Sequence, residues 1–312
     1  MNTLRQALEE YLALRQAMGF GVRHARLPLG RFIEFLEQQE AMYITNELAL
    51  QWATEPRAAQ PAEWSRRLSL VRGFARYRSA TDPRTQIPAA GVLSCRPPRA
   101  SPYLYSNAEI GQLLQAAAHL SSATGLRAHT HVAAFGLLAV TGMRVAELVG
   151  LDDQDVDLTL GHLTIRQGKF GKSRLLPFHP TTREALRHYV AERDRCYPIP
   201  RTPSFLISEQ GARLTHWSIR RTFVTLSRQI GLRGPADSHG PRLHDFRHRF
   251  AVEVLLRWYR EGVDVERRLP ELSTYLGHVK VGDTYWYLSA TPELLQWALE
   301  RLEHSQPRGV SS

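Results

Sequence analysis

Lysine is nearly missing from this chain of 312 residues. Lys169, Lys172 and Lys280 stand against 37 arginines, the 40 basic residues less those three. Lysine can give up a proton and arginine cannot, so a lysine kept in such a chain marks a place where arginine would not serve. Cysteine is scarce too. Cys95 and Cys196 lie too far apart for a metal-knuckle spacing, which excludes a disulfide scaffold and fits a reduced cytoplasm. No run approaches the ~18 consecutive apolar residues of a membrane span, and Met1 opens a polar helix rather than a leader. A cytoplasmic protein without membrane contact is expected. No G-x-x-x-x-G-K-[ST] loop occurs, so no ATP-driven step is expected. Acidic residues are in deficit, 30 against 40 basic, for a net charge of +10. That excess points to a polyanion partner, nucleic acid first. A hydrophobic share of 43% excludes wholesale disorder, and the length suits two domains.

The first 80 residues read as short amphipathic helices. Leu4, Leu8, Tyr11 and Leu12 repeat at helical spacing, as do Leu29, Phe32, Ile33 and Leu36. Thr45 is a candidate N-cap for a helix with Leu48 and Trp52. A fourth helix buries Trp64, Leu68, Val71 and Ala75 and leaves Arg66, Arg67, Arg72, Arg76 and Arg78 as a basic face for phosphates. From Thr81 to Pro102, five prolines break the pattern, so 81–102 is the predicted linker between domains 1–80 and 103–312. Regular structure resumes at the capping box Ser106–Glu109. An apolar helix over His131–Leu151 is interrupted at Thr141-Gly142. A hairpin spans His162–Phe178 with its turn at Gly168–Gly171. Helices follow around Thr182–Val190, Trp217–Ile230, His244–Arg260 and Pro270–Leu276. The predicted class is mainly α with one small antiparallel β-sheet.

Four segments of the second domain hold polar groups that their local pattern does not require. In Thr141-Gly142-Met143-Arg144-Val145-Ala146-Glu147, the glutamate can brace the arginine so that its fork faces an anion. The hairpin turn Gln167-Gly168-Lys169-Phe170-Gly171-Lys172 holds two of the three lysines. In His244-Asp245-Phe246-Arg247-His248, His244 and Arg247 leave one helix face, opposite a buried face of Phe246, Phe250, Val254 and Leu255. Leu276-Gly277-His278 precedes Tyr287 by nine residues, counted from the histidine.

In order, Arg144, Lys169, His244-x-x-Arg247, Leu276-Gly277-His278 and Tyr287 closely resemble the tyrosine recombinases, or phage integrase family, of the Xer and transposon type. The likeness covers 106–303. It implies a two-domain, C-shaped DNA clamp with a helical core-binding domain ahead of the catalytic one. It implies a site-specific recombinase that breaks and rejoins DNA through a 3′-phosphotyrosyl bond, for integration, excision, transposition or resolution. No cofactor and no metal are expected, since no Asp/Glu cluster falls among the motifs. Tyr287 is then the nucleophile, with Tyr285 and Tyr275 as rivals. His244 is the candidate base and Lys169 the acid on the leaving 5′-oxygen, with Lys172 as its rival. Arg144 and Arg247 hold the phosphate, and His278 bonds phosphate or phenol. Arg220 and Arg221, outward on the helix after Trp217, mark the family's major-groove helix. Partners are double-stranded recombination sites and, in the synapse, a homotetramer assembled from free monomers at the nucleoid. The stripe Leu294, Leu295, Ala298, Leu299 and Leu302 is expected to dock on a neighbouring protomer, and no arm-binding domain is expected ahead of residue 1. The long stretch between Arg247 and His278 suggests a surface insertion at Gly262–Pro270. A type IB topoisomerase, an inactive DNA-binding regulator and a metal-dependent nuclease are the alternatives. The last of these lacks its carboxylates.

Overall fold

The computed structural model describes residues 3–93, 102–166, 173–237, 240–289 and 292–297. The chain divides into two units, Met1–Ala100 and Ser101–Ser312. The first holds α1 (Leu4–Ala17), α2 (Arg23–Gln38), α3 (Asn46–Thr54) and α4 (Pro61–Ser79). Thr3 and Thr45 cap α1 and α3, each hydroxyl accepting a backbone N–H at 3.2 Å that the first turn would otherwise leave bare. Leu8, Leu12, Leu29, Phe32, Trp52, Val71 and Phe74 form the core. Burying side chains of this size stabilises by about 1.5–3 kcal/mol each. The start of the segment read as linker packs on this unit. Asp82 and Thr85 are buried, the Gln86 side chain accepts the Asn46 N–H at 2.9 Å, and Arg72 donates to the carbonyls of Pro88 and Ala89.

The second unit starts, past residue 101, from α5 (Asn107–Ala118), opened by the reciprocal Ser106–Glu109 box. The apolar helix of the sequence begins earlier than predicted, as α6 (Leu126–Thr141), and stops at Gly142; α7 (Val145–Gly150) follows. Strands β1 (Val156–Asp157), β2 (His162–Ile165) and β3 (Arg174–Pro177) form an antiparallel sheet in that order. Leu163 faces Leu176, and Ile165 faces Arg174 where the hairpin opens toward its turn. Then come α8 (Pro180–Cys196), α9 (His216–Gln229), α10 (Asp245–Arg260), α11 (Val265–Leu276), α12 (Gly282–Tyr285) and a 3-10 turn at Trp286–Ser289. Residues 292–297 are helical again. The fold is mainly helical with one small antiparallel sheet.

Helix α6 packs against α5, α8 and α10, and its Ala134, Phe135, Leu137 and Leu138 are sealed in the larger core. A second cluster joins α10 and α11 through Ala251, Leu255, Leu269 and Leu272, and takes in Tyr287 and Leu294. The segment Gly262–Pro270, expected as a surface insertion, does not lie wholly on the surface. Gly262 turns the chain at φ +69°, and 265–270 are the first half of α11, with Val265 and Leu269 buried. Pro270 sits inside that helix because Leu269 and Leu272 are held by the core on either side of it. No helix among the described residues is long and apolar enough to cross a membrane.

Candidate active site

Two glycine turns build the floor of the site. Gly142 ends α6 at φ +59°, and Gly277 ends α11 at φ +67°, where a side chain would be strained. A Cβ on Gly142 would also meet the Phe250 ring at 2.7 Å. Both turns aim carbonyls inward. Arg247, in the first turn of α10 and only 1% exposed, donates to the carbonyls of Gly142 (3.1 Å) and Leu276 (2.6 Å). Arg144, which precedes α7, donates to the Gly277 carbonyl at 3.0 Å. The arginines therefore grip the two ends of one corner, 276–277. Burial first, and Arg144 second, push the Arg247 guanidinium down to about 10, so it stays charged at neutral pH. His244 and Arg247 do not share a solvent face opposite a buried one, as the helical spacing suggested. Arg247 is itself enclosed, and His244 alone is exposed.

The Glu147 side chain is 7% exposed and accepts four bonds. The Arg144 backbone N–H and Nη1 reach it at 2.9 and 2.8 Å. Arg174, on β3, adds Nη1 at 3.1 Å and Nη2 at 2.8 Å. Burial alone would raise this carboxyl, but the arginine bonds hold it below its usual range. Arg174 went unread in the sequence. Its signal was there: it alternates in phase with the buried Leu176, while Leu175 between them is exposed.

Tyr287 is 3% exposed. Its ring stacks on His278 at 6.2 Å and 15°, and its phenol lies within electrostatic reach of Arg247. His278 is oriented by Nδ1, 2.7 Å from the Thr284 hydroxyl. His248, also unread, places its ring 4.7 Å from His244, 5.1 Å from Trp286 and 5.5 Å from Tyr287. Its position four residues after His244 was the available signal. The rival tyrosines lie elsewhere. Tyr285 is exposed, and Tyr275 stacks on Phe250, its phenol pushed up to about 12 by burial.

The surroundings disfavour the charged form of all three histidines. His244 is lowered by the surrounding protein and by Arg247. His248 is pushed down to about 4 by burial and His244, and His278 to about 4 by burial, Arg247 and Arg144. The result is a cationic cradle beside imidazoles whose charged form is disfavoured, an arrangement that suits an anion next to a group with a proton to lose. Occupancy by sulfate should offset the arginine charges and raise the His278 pKa. In an NMR titration its C2 proton should move near pH 4 in the free protein and at higher pH with sulfate. No movement would mean that the arginines do not face the anion.

The lysine turn, with Lys169 and Lys172, lies outside the described residues. The basic face of α4 is narrower than its sequence suggests. Arg66 and Arg76 are exposed, though Arg66 pairs with Glu63 at 2.6 Å. Arg67 donates to the Trp52 carbonyl and lies 3.8 Å over the Trp52 ring, Arg72 serves the 88–89 carbonyls, and Arg78 is buried beside Asp82. On α9, Arg220 and Arg221 are exposed, and Arg221 lies 5.2 Å over the exposed Trp217 ring.

The sequence model described as "Phage integrase family" matches residues 105–293, more than half of the chain and the whole arginine–histidine–tyrosine corner. The chain belongs to the phage integrase family. Within this family of tyrosine recombinases, which break and rejoin DNA strands, y4rB of Sinorhizobium fredii, named as an integrase/recombinase, is 51% identical over 97% of this chain and 98% of its own length. The tyrosine recombinase XerD of Caulobacter vibrioides is 31% identical over 77% of this chain and 74% of its own. Among solved structures, the XerH site-specific recombinase bound to a palindromic difH substrate superposes with a TM-score of 0.67 at 19% identity, covering 96% of this chain and 85% of that one. The Tn1549 transposon integrase with circular intermediate DNA gives 0.65 at 18%, covering 96% and 100%. At such identities the structural likeness is one of fold.

Proposed function

We propose that this phage integrase family member is a site-specific DNA recombinase that cuts and rejoins strands through a 3′-phosphotyrosyl bond on Tyr287. The observation that carries the reading is the corner itself. One buried tyrosine lies stacked on His278 and within electrostatic reach of buried Arg247, while Arg144 grips the same corner from the other side. Arg144 and Arg247 keep N–H groups for the non-bridging oxygens of a phosphate and balance charge as phosphorus becomes pentacoordinate. The Tyr287 oxygen attacks phosphorus, and its proton passes to neutral His244. The 5′-oxygen leaves with a proton from Lys169 on the hairpin turn. His278 bonds the phosphate or the phenol. The phosphotyrosyl bond keeps the energy of the broken linkage, so rejoining needs no ATP.

In this reading the first unit is the core-binding domain, offering Arg66 and Arg76 to the backbone, and α9 offers Arg220, Arg221 and Trp217 to the groove. Two double-stranded sites are joined by a homotetramer that assembles from monomers, the whole reaction taking place in the cytoplasm.

Supercoiled DNA carrying two candidate sites, incubated with the protein in EDTA, tests this. Covalent complex and recombined circles are expected. Relaxation alone would make it a topoisomerase, and neither product a DNA-binding regulator. The leaving-group role has its own test. Lys169→Ala should cut ordinary DNA poorly but recover on a substrate whose 5′-bridging atom is sulfur, which needs no proton. Failure to recover would return the role to Lys172 or to another acid.

A further inference from the structure

We infer that Arg174 is a positioning residue for the phosphate-binding arginine Arg144, acting through Glu147. The inference rests on the recombinase reading of the site. Arg174 begins β3, two residues after Lys172, and its side chain is only 10% exposed. Its guanidinium joins three elements. Nη1 and Nη2 take the two Glu147 oxygens side by side (3.1 and 2.8 Å), and Nε donates to the Tyr275 carbonyl at 2.6 Å.

Each of these contacts bears on Arg144. Glu147 holds Arg144 through the backbone N–H and through Nη1, and the remaining end of the Arg144 fork bonds the Gly277 carbonyl. Without Arg174, a buried carboxylate would have one cation to itself and would draw the whole Arg144 fork onto its two oxygens, away from a substrate phosphate. With Arg174 in place, both Glu147 oxygens are shared, and the two guanidiniums with their one carboxylate carry a net positive charge. The fit is close on the far side as well. A Cβ on Gly277 would stand 2.8 Å from Arg174 Nη1, so the glycine beside His278 leaves room for this guanidinium. Lysine cannot replace it, because one ammonium cannot span a carboxylate fork and a carbonyl on different elements.

The test uses the full chain and two variants, Arg174→Lys, which keeps the buried charge, and Arg174→Met. Single-turnover adduct formation is read on a half-site, first with an ordinary scissile phosphodiester and then with a neutral methylphosphonate, which presents one non-bridging oxygen fewer to the arginines. Binding of the half-site should change little in Arg174→Lys. Adduct formation on the phosphodiester should fall by about 100-fold in both variants, the scale of a roughly 1 Å misplacement of a catalytic group. On the methylphosphonate the deficit relative to the unaltered chain should shrink to within about tenfold, because that substrate relies less on a placed fork. Equal deficits on both substrates, or half-site binding lost in step with cleavage, would make Arg174 a purely structural residue and overturn the inference. So would Arg174→Lys cutting at the unaltered rate. If the unaltered chain itself forms no adduct, it is the recombinase reading that fails.

Discussion

Replacing Tyr287 by phenylalanine is expected to remove covalent attachment to DNA altogether, a loss on the scale of the roughly millionfold drop that follows deletion of a catalytic nucleophile. Only one oxygen is removed. The ring keeps its stack on His278 and its place among the aromatic neighbours His248 and Trp286, so the corner should hold its shape. Loss of a phenol hydrogen bond costs about 1 kcal/mol of stability, small beside the whole fold. Half-site binding should therefore persist while the adduct, read on a denaturing gel, disappears. The exposed Tyr285, changed in the same way, should leave the adduct intact. An adduct that survives Tyr287→Phe and vanishes with Tyr285→Phe would reassign the nucleophile.

A chain ending at Trp297 should bind a single half-site normally, yet lose cooperative binding to a full site and all recombination. The choice of end point follows from the packing. Leu294 is completely buried in the cluster under α10 and α11, and Glu293 pairs with Arg260 at 2.8 Å. Ending the chain at Ala290 would empty the Leu294 site, and truncating a buried leucine costs about 2–5 kcal/mol. That loss would blur any effect on assembly. Leu295, by contrast, is exposed, so the apolar stripe of the sequence is split between two directions. Ala298, Leu299 and Leu302 lie outside the described residues, and these are the side chains proposed to reach a neighbour. Normal recombination by the shortened chain would place the helix entirely on its own protomer.

Much of the site was legible because its residues are chemically out of place where they stand. An arginine just past an apolar helix, a histidine and an arginine one turn apart, and a Leu-Gly-His followed at nine residues by tyrosine all depart from the pattern around them. What escaped were residues whose meaning depends on a partner distant in sequence. Arg174 looked like any surface arginine until Glu147, 27 residues earlier, and the Tyr275 carbonyl, 101 residues later, were seen to enclose it. His248 looked like a neighbour of the motif until the tyrosine turn folded back on it. The fold followed the same rule. Caps at Thr45 and Ser106 act over three residues and were readable. The spacing of the α4 arginines marks one solvent face, yet the Trp52 ring and the 88–89 carbonyls claim two of them from outside the helix. The reading of 262–270 fails for a related reason, since Pro270 marks a helix start in the sequence while the core carries α11 five residues ahead of it.

The carbonyls that anchor Arg144 and Arg247, the two arginines proposed to hold the phosphate, set a limit on donors. A guanidinium carries five N–H groups. Arg247 gives one to Gly142 and one to Leu276, and Arg144 gives one to Glu147 and one to Gly277, which among the described residues leaves three on each for the proposed phosphate. An ammonium has three in all, radiating from a single point. In either place it would have to release the corner to hold a phosphate, or release the phosphate to hold the corner. In the proposed mechanism the chain's lopsided use of its basic residues thus acquires a local meaning: lysine would lack the hydrogens needed at 144 and 247, just as arginine at the hairpin turn would lack one it will surrender.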